Sequence, residues 1–247
     1  MIVRKVTSKL QEQFEQIFIN KYGPSLKKII ANTLPDSYKI NIITRMPKLK
    51  TWEKKQKKSF PVFNTRFELY EYIQAQYLQK DSVDYLEFGV FEGATIDFWC
   101  KLNQNPKSRF YGFDTFTGLP EDWKNIIGHR PISTWDCQGN LPKIDDKRVQ
   151  FYKGLFQNTI DQFIQDYHPQ DNIIIHNDSD LYSSSLYLLT RLHDIIKKNT
   201  IIIFDEFNNV MDEFRALEDY CTAYYRKYTV IAATDDFYQR VAIQFDE

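Results

Sequence analysis

Asp84-Tyr85-Leu86-Glu87-Phe88-Gly89-Val90-Phe91-Glu92-Gly93-Ala94-Thr95 is the stretch that decides the fold. A short apolar run ends in a turn with two glycines, and a helix-like stretch follows over 94–102. Glycine removes the side chain where a backbone turns sharply or a ligand comes close. The first N–H groups of a helix attract negative charge. Gly89, Val90, Gly93, Ala94 and Thr95 are therefore a candidate cradle for an anionic part of a ligand. Glu87, at the strand end, is placed to meet an ammonium group, directly or through water. Phe110-Tyr111-Gly112-Phe113-Asp114 then ends a second strand on an acid. That acid follows the glycine turn by about twenty residues, the separation that one helix and one strand require. A carboxylate there can accept from both hydroxyls of a ribose, so Asp114 and the adjacent Thr115 are read as the second half of the cradle.

Working outward, further strands are expected over 149–152, 172–176, 200–204, 229–233 and 240–245, with helices running from the fourth strand through Ile196 and over 212–225. Strands alternating with helices imply a mostly parallel sheet covered on both faces. The last two strands share a short connection and read as a closing antiparallel hairpin. This is an α/β, Rossmann-like arrangement of seven strands. Before it, Phe67, Tyr70, Ile73 and Tyr77 mark a helix, with Asn64 or Thr65 as its cap. Residues 3–20 have helical apolar spacing, a second short helix is expected from Pro24 through Ile30, and residues 35–62, with Pro47 and Pro61, read as loop. The expected division is a basic helical extension and linker over 1–63 and a ligand-binding domain over 64–247.

The 247 residues are 43% apolar and 16% aromatic, enough for a substantial core. The net charge of -1 hides an asymmetry: residues 1–60 hold 14 Lys and Arg against 4 Asp and Glu, and the remainder holds 18 against 29. The basic cluster Lys54-Lys55-Gln56-Lys57-Lys58 has no interleaved aromatics, which argues against a nucleic-acid partner. No stretch is long and apolar enough to span a membrane, and the mean hydropathy of -0.51 agrees. The charged N-terminus does not read as a secretory signal. Three cysteines without paired or metal-like spacing fit reduced thiols, and the expected compartment is the cytoplasm. A homo-oligomer is compatible with all of this.

At Leu86-Glu87-Phe88-Gly89-Val90-Phe91-Glu92-Gly93 and Gly112-Phe113-Asp114-Thr115-Phe116-Thr117-Gly118-Leu119-Pro120 the chain resembles the macrocin/mycinamicin-type O-methyltransferases. Gly154-Leu155-Phe156-Gln157-Asn158-Thr159, Asp178-Ser179-Asp180-Leu181-Tyr182-Ser183-Ser184 and Asp205-Glu206-Phe207 extend the resemblance. It covers roughly residues 64 to 245 and leaves the basic extension unexplained. It implies a class I methyltransferase fold, S-adenosylmethionine as cofactor and a sugar or other glycan-like hydroxyl as acceptor. Arg66, on the helix before the glycine strand, matches the family's cofactor-facing helix and becomes a candidate for the cofactor carboxylate.

Asp178 and Asp180 follow the fourth strand, and Asp205 and Glu206 follow the fifth. In a parallel sheet these are neighbouring carboxyl ends, where ligands bind. Converging carboxylates repel unless a cation or a proton relieves them. A hard divalent ion such as Mg²⁺ suits oxygen ligands, and the resemblance puts the metal acids at Asp178, Asp205 and Glu206. Asp180 is read as the cap of the helix that begins at Leu181. His176 is a candidate base or ligand-orienting group, alongside Asp178. His129, in the loop after Trp123, could instead face substrate and is read as solvated. The leading expectation is metal-assisted O-methyl transfer to a hydroxyl of a small molecule. The rivals are metal-independent transfer to nitrogen or nucleic acid, and a non-catalytic cofactor-binding module.

Overall fold

A computed structural model describes Ser25, Lys28 and residues 37–56, 60–125 and 128–247. The helices expected over 3–20 and from Pro24 through Ile30 lie outside these, apart from Ser25 and Lys28, which are helical. The chain divides into two units, Met1–Ile40 and Asn41–Glu247. Residues 41–63, grouped with the extension on sequence, lie in the second unit.

The elements are α1 (Tyr38–Gln56), β1 (Val62–Phe63), α2 (Arg66–Ile73), β2 (Asp84–Phe88), α3 (Ala94–Leu102), β3 (Arg109–Asp114), β4 (Trp123–Lys124), β5 (His129–Arg130), β6 (Val149–Lys153), α4 (Phe156–Asp166), β7 (Ile173–Asn177), α5 (Tyr182–Arg191), β8 (Ile201–Phe204), α6 (Glu213–Ala223), β9 (Tyr228–Thr234) and β10 (Val241–Phe245). The main sheet has the order β1-β9-β10-β8-β7-β2-β3-β6. All seven expected strands are in it. β10 alone runs antiparallel to its neighbours β8 and β9. β1 adds an eighth strand beside β9, and β4 and β5 pair as a separate small hairpin.

Every residue of β2, β7 and β8 is buried. A strand covered on both faces has no polar side; β8 is apolar throughout, while β2 and β7 bury Asp84, Glu87, His176 and Asn177 among their apolar residues. Chain order reverses between β2 and β7: β3 and β6 extend one way, β7 and β8 the other. Ligands bind at such a switch point. The register sets the level of the functional residues. Phe88 pairs with Phe113 and with Asn177, and Asn177 pairs with Phe204. The next residue on each strand is Gly89, Asp114, Asp178 and Asp205, so these four stand in one row.

Two expectations change. Residues 38–56 form a helix despite Pro47. Ile42, Leu49 and Trp52 fall on one buried stripe, and tertiary burial outweighs the lost hydrogen bond of one proline. Trp52 sits within 4.8 Å of the Phe207 ring centroid and 5.6 Å of that of Tyr238, and donates to Tyr228 Oη at 3.0 Å. The segment is thus a wall of the second unit rather than a linker. α4 is also present where the sequence reading has no helix. Its buried side is Thr159, Ile160 and Phe163. The cap of α2 is Thr65, in a reciprocal capping box with Glu68.

Candidate active site

The glycine turn owes its shape to backbone geometry. Gly89 has φ +94°, and a Cβ there would lie 1.8 Å from the carbonyl oxygen of Asp178. Only glycine allows the β2 turn to lie against the end of β7. Gly93 (φ +82°) begins α3, and its missing side chain makes room for Pro142 and Ile144. Of the other cradle residues, Val90 and Thr95 are buried and Ala94 is exposed at the start of α3. The Asp114 carboxylate locks the turn from β3. Its Oδ2 accepts from Val90 N–H at 2.7 Å and Phe91 N–H at 2.9 Å, and its Oδ1 from Phe116 N–H at 2.7 Å. Asp114 is therefore a turn clamp. With about four acceptor positions on a carboxylate, it keeps room for a further donor. Thr115 Oγ1 donates to the Gly118 carbonyl at 2.9 Å.

Glu87 lies behind this turn, 1% exposed. Its Oε2 accepts from Tyr85 Oη at 2.6 Å. Burial pushes its carboxyl up to about 8, against the opposing effect of the Tyr85 hydrogen bond. Tyr85 Oη also meets His176 Nδ1 at 2.7 Å, and Tyr70 Oη lies 3.5 Å from Nε2. His176 is fully buried, and burial holds its pKa below the ordinary histidine value. It does not line the cavity, so the sequence candidate for a base is enclosed among aromatic side chains. Arg66, at the first turn of α2, is half-buried and stacks on Phe67. Among the described residues it has no carboxylate within ion-pair distance.

A cavity of about 490 Å³ opens over the strand ends. Gly89, Asp114 and Thr115 line one side, and Asp178, Asp180, Asp205 and Glu206 another. Leu155, Phe156 and Gln157, just past β6, close a third. Its volume is in the range of small-molecule sites. His176, Asp178 and Asp205 each offer a ligand atom within 4.8 Å of the others. The Asp178 carboxylate makes no hydrogen bond or ion pair among the described residues. Burial raises its pKa, and the Asp205 charge raises it further. Burial would also raise Asp205. Nearby donors and positive charge outweigh it and hold Asp205 low. The largest of these is His176, whose Nε2 faces Oδ1 at 3.9 Å; Arg240 follows, its Nε and Nη2 reaching Oδ1 and Oδ2 at 2.9 and 3.1 Å.

Two acids differ from expectation. Glu206 is directed at Gln239, whose Nε2 donates to its Oε1 at 2.8 Å. Its backbone N–H is held by the buried Glu213 carboxylate at 2.9 Å. It does not converge with the His176–Asp178–Asp205 group. Asp180 does not cap α5. It sits at φ +60°, and the N-cap residue, Leu181, has no side-chain cap bond. The Tyr182 N–H is met instead by Asp212, thirty residues away, at 3.2 Å. Asp180 thereby turns its carboxyl into the cavity, where burial and then the Glu206 charge raise its pKa. Arg240, Trp135 and Glu121 also belong to the site or its support and were missed on sequence. Only the Gly154–Thr159 motif carried a signal, for the wall at Leu155–Gln157. His129 is exposed and meets Asp122 at 3.0 Å. No helix among the described residues is long and apolar enough to cross a membrane.

Comparison with known proteins follows the same lines. The family model for macrocin O-methyltransferase (TylF) matches residues 65–228. The solved O-methyltransferase NovP is similar at 18% identity and TM-score 0.54, over 74% of this chain and 80% of that one. The calicheamicin methyltransferase CalS11 is similar at 20% identity and TM-score 0.55, over 87% and 96%. A second CalS11 structure, described as a TDP-rhamnose 3'-O-methyltransferase, gives 18% identity and TM-score 0.51, over 87% and 98%. These likenesses establish the class I methyltransferase fold. A search of curated protein sequences returns no significant match.

Proposed function

The chain belongs to the macrocin O-methyltransferase family and is an S-adenosylmethionine-dependent methyltransferase; on that premise we propose that it methylates a hydroxyl of a sugar, glycan or related small molecule, assisted by a divalent cation such as Mg²⁺. One observation carries the proposal: His176, Asp178 and Asp205 offer ligand atoms within 4.8 Å of one another beside the glycine turn and Asp114. The donor set fits the ion. Asp178 is unpartnered, Asp205 is ionised, and both line the cavity. They are the residues that would hold the cation, with His176 directly behind them. Glu206 is the weaker ligand, because Gln239 holds its side chain. The cation supplies Lewis-acid polarisation, which lowers the pKa of a substrate hydroxyl.

The chain's own residues do the rest. Asp114 and Thr115 meet the ribose, and the N–H groups at the start of α3 and the unpaired Arg66 guanidinium meet the cofactor carboxylate. Leu155, Phe156 and Gln157 form the wall for the flat base. Asp180, unpartnered and facing the cavity, would take the hydroxyl proton as the new oxygen–methyl bond forms and the methyl–sulfur bond breaks, the leaving group being neutral thioether sulfur in S-adenosylhomocysteine. Holding the reacting atoms about 3 to 3.5 Å apart supplies much of the rate. A sugar acceptor is favoured by family membership.

One observation favours a second reading, O-methyl transfer without metal: Arg240 already puts a bidentate guanidinium on Asp205. Methyl transfer measured over a panel of sugars and phenols, after EDTA treatment and after Mg²⁺ add-back, separates the two. The metal reading requires activity to vanish in EDTA and return with Mg²⁺, and Asp178→Asn to abolish it with cofactor affinity kept. Full activity in EDTA with Asp178→Asn near wild type would leave the metal-free reading.

A further inference from the structure

The cavity has a one-sided charge. Its titratable lining residues are Asp114, Glu121, Asp178, Asp180, Asp205 and Glu206; among the described residues no Lys, Arg or His lines it. Arg240 neutralises Asp205 from behind. On the reading above, a divalent cation would bring two positive charges, and the cofactor, with a sulfonium, an ammonium and a carboxylate, one net. Against the six acids, and with Arg240 on Asp205, two formal negative charges remain in excess. Glu206 and Glu121 each accept from a neutral donor, Gln239 and Ser183. Asp180 accepts from none: it is 9% exposed, faces the cavity and makes no hydrogen bond or ion pair among the described residues. A buried carboxylate without a donor is costly and calls for one from the ligand. Trp135, 37% exposed, lines the same cavity. Carboxylates and an indole lining one cavity are the chemistry that recognises an ammonium group.

We propose that the acceptor is a hydroxyl compound carrying a protonated amine, an amino sugar or amino-glycoside unit, and that the cavity rejects phosphate-bearing acceptors such as nucleotide-linked sugars. The inference rests on the O-methyl transfer reading. An ammonium would give Asp180 its missing donor and the neighbouring Glu121 and Glu206 a counter-charge. A diphosphate would set further negative charge against them in a partly water-excluded site, where repulsion is poorly screened.

The test is binding of three methyl glucosides that differ only at C6, as amine, hydroxyl or carboxylate, to the full chain loaded with S-adenosylhomocysteine and Mg²⁺, followed by ligand-observed NMR. The amine form is expected to bind at least tenfold more tightly than the carboxylate form, with the neutral sugar between them. Glu121→Gln and, separately, Asp180→Asn should each shrink that ratio at least threefold while S-adenosylhomocysteine still binds. Carboxylate binding equal to or tighter than amine binding would overturn the proposal. So would an unchanged ratio in both variants, or failure of all three sugars to bind a chain that binds S-adenosylhomocysteine. Loss of S-adenosylhomocysteine binding by the wild type would instead strike at the methyltransferase reading.

Discussion

Gly89→Ala asks whether the glycine turn and the acid row are one mechanical unit. Gly89 sits at φ +94°, where an added Cβ would meet the Asp178 carbonyl oxygen at 1.8 Å and its carbon at 2.7 Å, against an ordinary contact of 3.4–4 Å. The ends of β2 and β7 would have to part by more than about 1 Å, since close-packed interiors leave no slack. Left-handed backbone costs a residue with a Cβ roughly 1–2 kcal/mol. Parting the strands also strains the 2.9 Å bond from Asp178 N–H to the Phe88 carbonyl, with a net worth of about 1 kcal/mol. Together these predict a stability loss of about 2–3 kcal/mol, in the upper part of the usual range for a point substitution. The same shift moves Asp178 relative to the cofactor, and misplacement by about 1 Å costs about 10²-fold in turnover. Urea unfolding gives the first number. Calorimetry with S-adenosylhomocysteine and steady-state methyl transfer give the rest. If the variant unfolds within about 0.5 kcal/mol of wild type and keeps its cofactor affinity and turnover, the turn is not braced against Asp178 and the reasoning fails.

Glu87 gives a pH prediction. Its folded pKa of about 8 lies above the ordinary 4.5, so the folded state holds an extra proton between those values. Its contribution is fully present below about 4.5 and declines as pH rises to about 8, by up to about 1.4 kcal/mol per pH unit. Glu87→Gln should flatten that decline in urea titrations run across the window, and an unchanged slope would exclude Glu87 as its source. Trp52→Ala should cost about 3–5 kcal/mol, because a buried indole packed on Phe207 and Tyr238 leaves a cavity; wild-type thermal stability would show that α1 is a dispensable appendage. Asp114→Ala removes the acceptor for three backbone N–H groups as well as the ribose acid. S-adenosylhomocysteine affinity should fall at least about tenfold, equivalent to about 1.4 kcal/mol, and unchanged calorimetry would relieve Asp114 of that role.

Strand content was readable because β2, β7 and β8 are buried on both faces and so are short and mostly apolar, β8 without interruption. Gly89 and Asp114 were readable because one helix and one strand separate them in every such unit. α1 was not, since Pro47 is a local stop signal and what overrides it is burial of Ile42, Leu49 and Trp52. The orientation of the acids was not readable either. Asp180 looks like a helix cap in one dimension, and the donor it appeared to serve is met by Asp212 from another element.

By itself the sequence determined the α/β class, the parallel sheet with its reversed last strand, and the glycine turn at the first strand end. These follow from periodicity and from glycine at positions where a side chain cannot fit, both properties of short segments. Only the tertiary structure decided which carboxylates converge. The strand register brings Asp178 and Asp205 level with Gly89. Arg240, thirty-five residues beyond Asp205, supplies its counter-charge. Gln239 draws Glu206 aside, and the walls of β2, β7 and α2 enclose His176. Each of these is a distance between side chains far apart in the chain, set by how the strands stack.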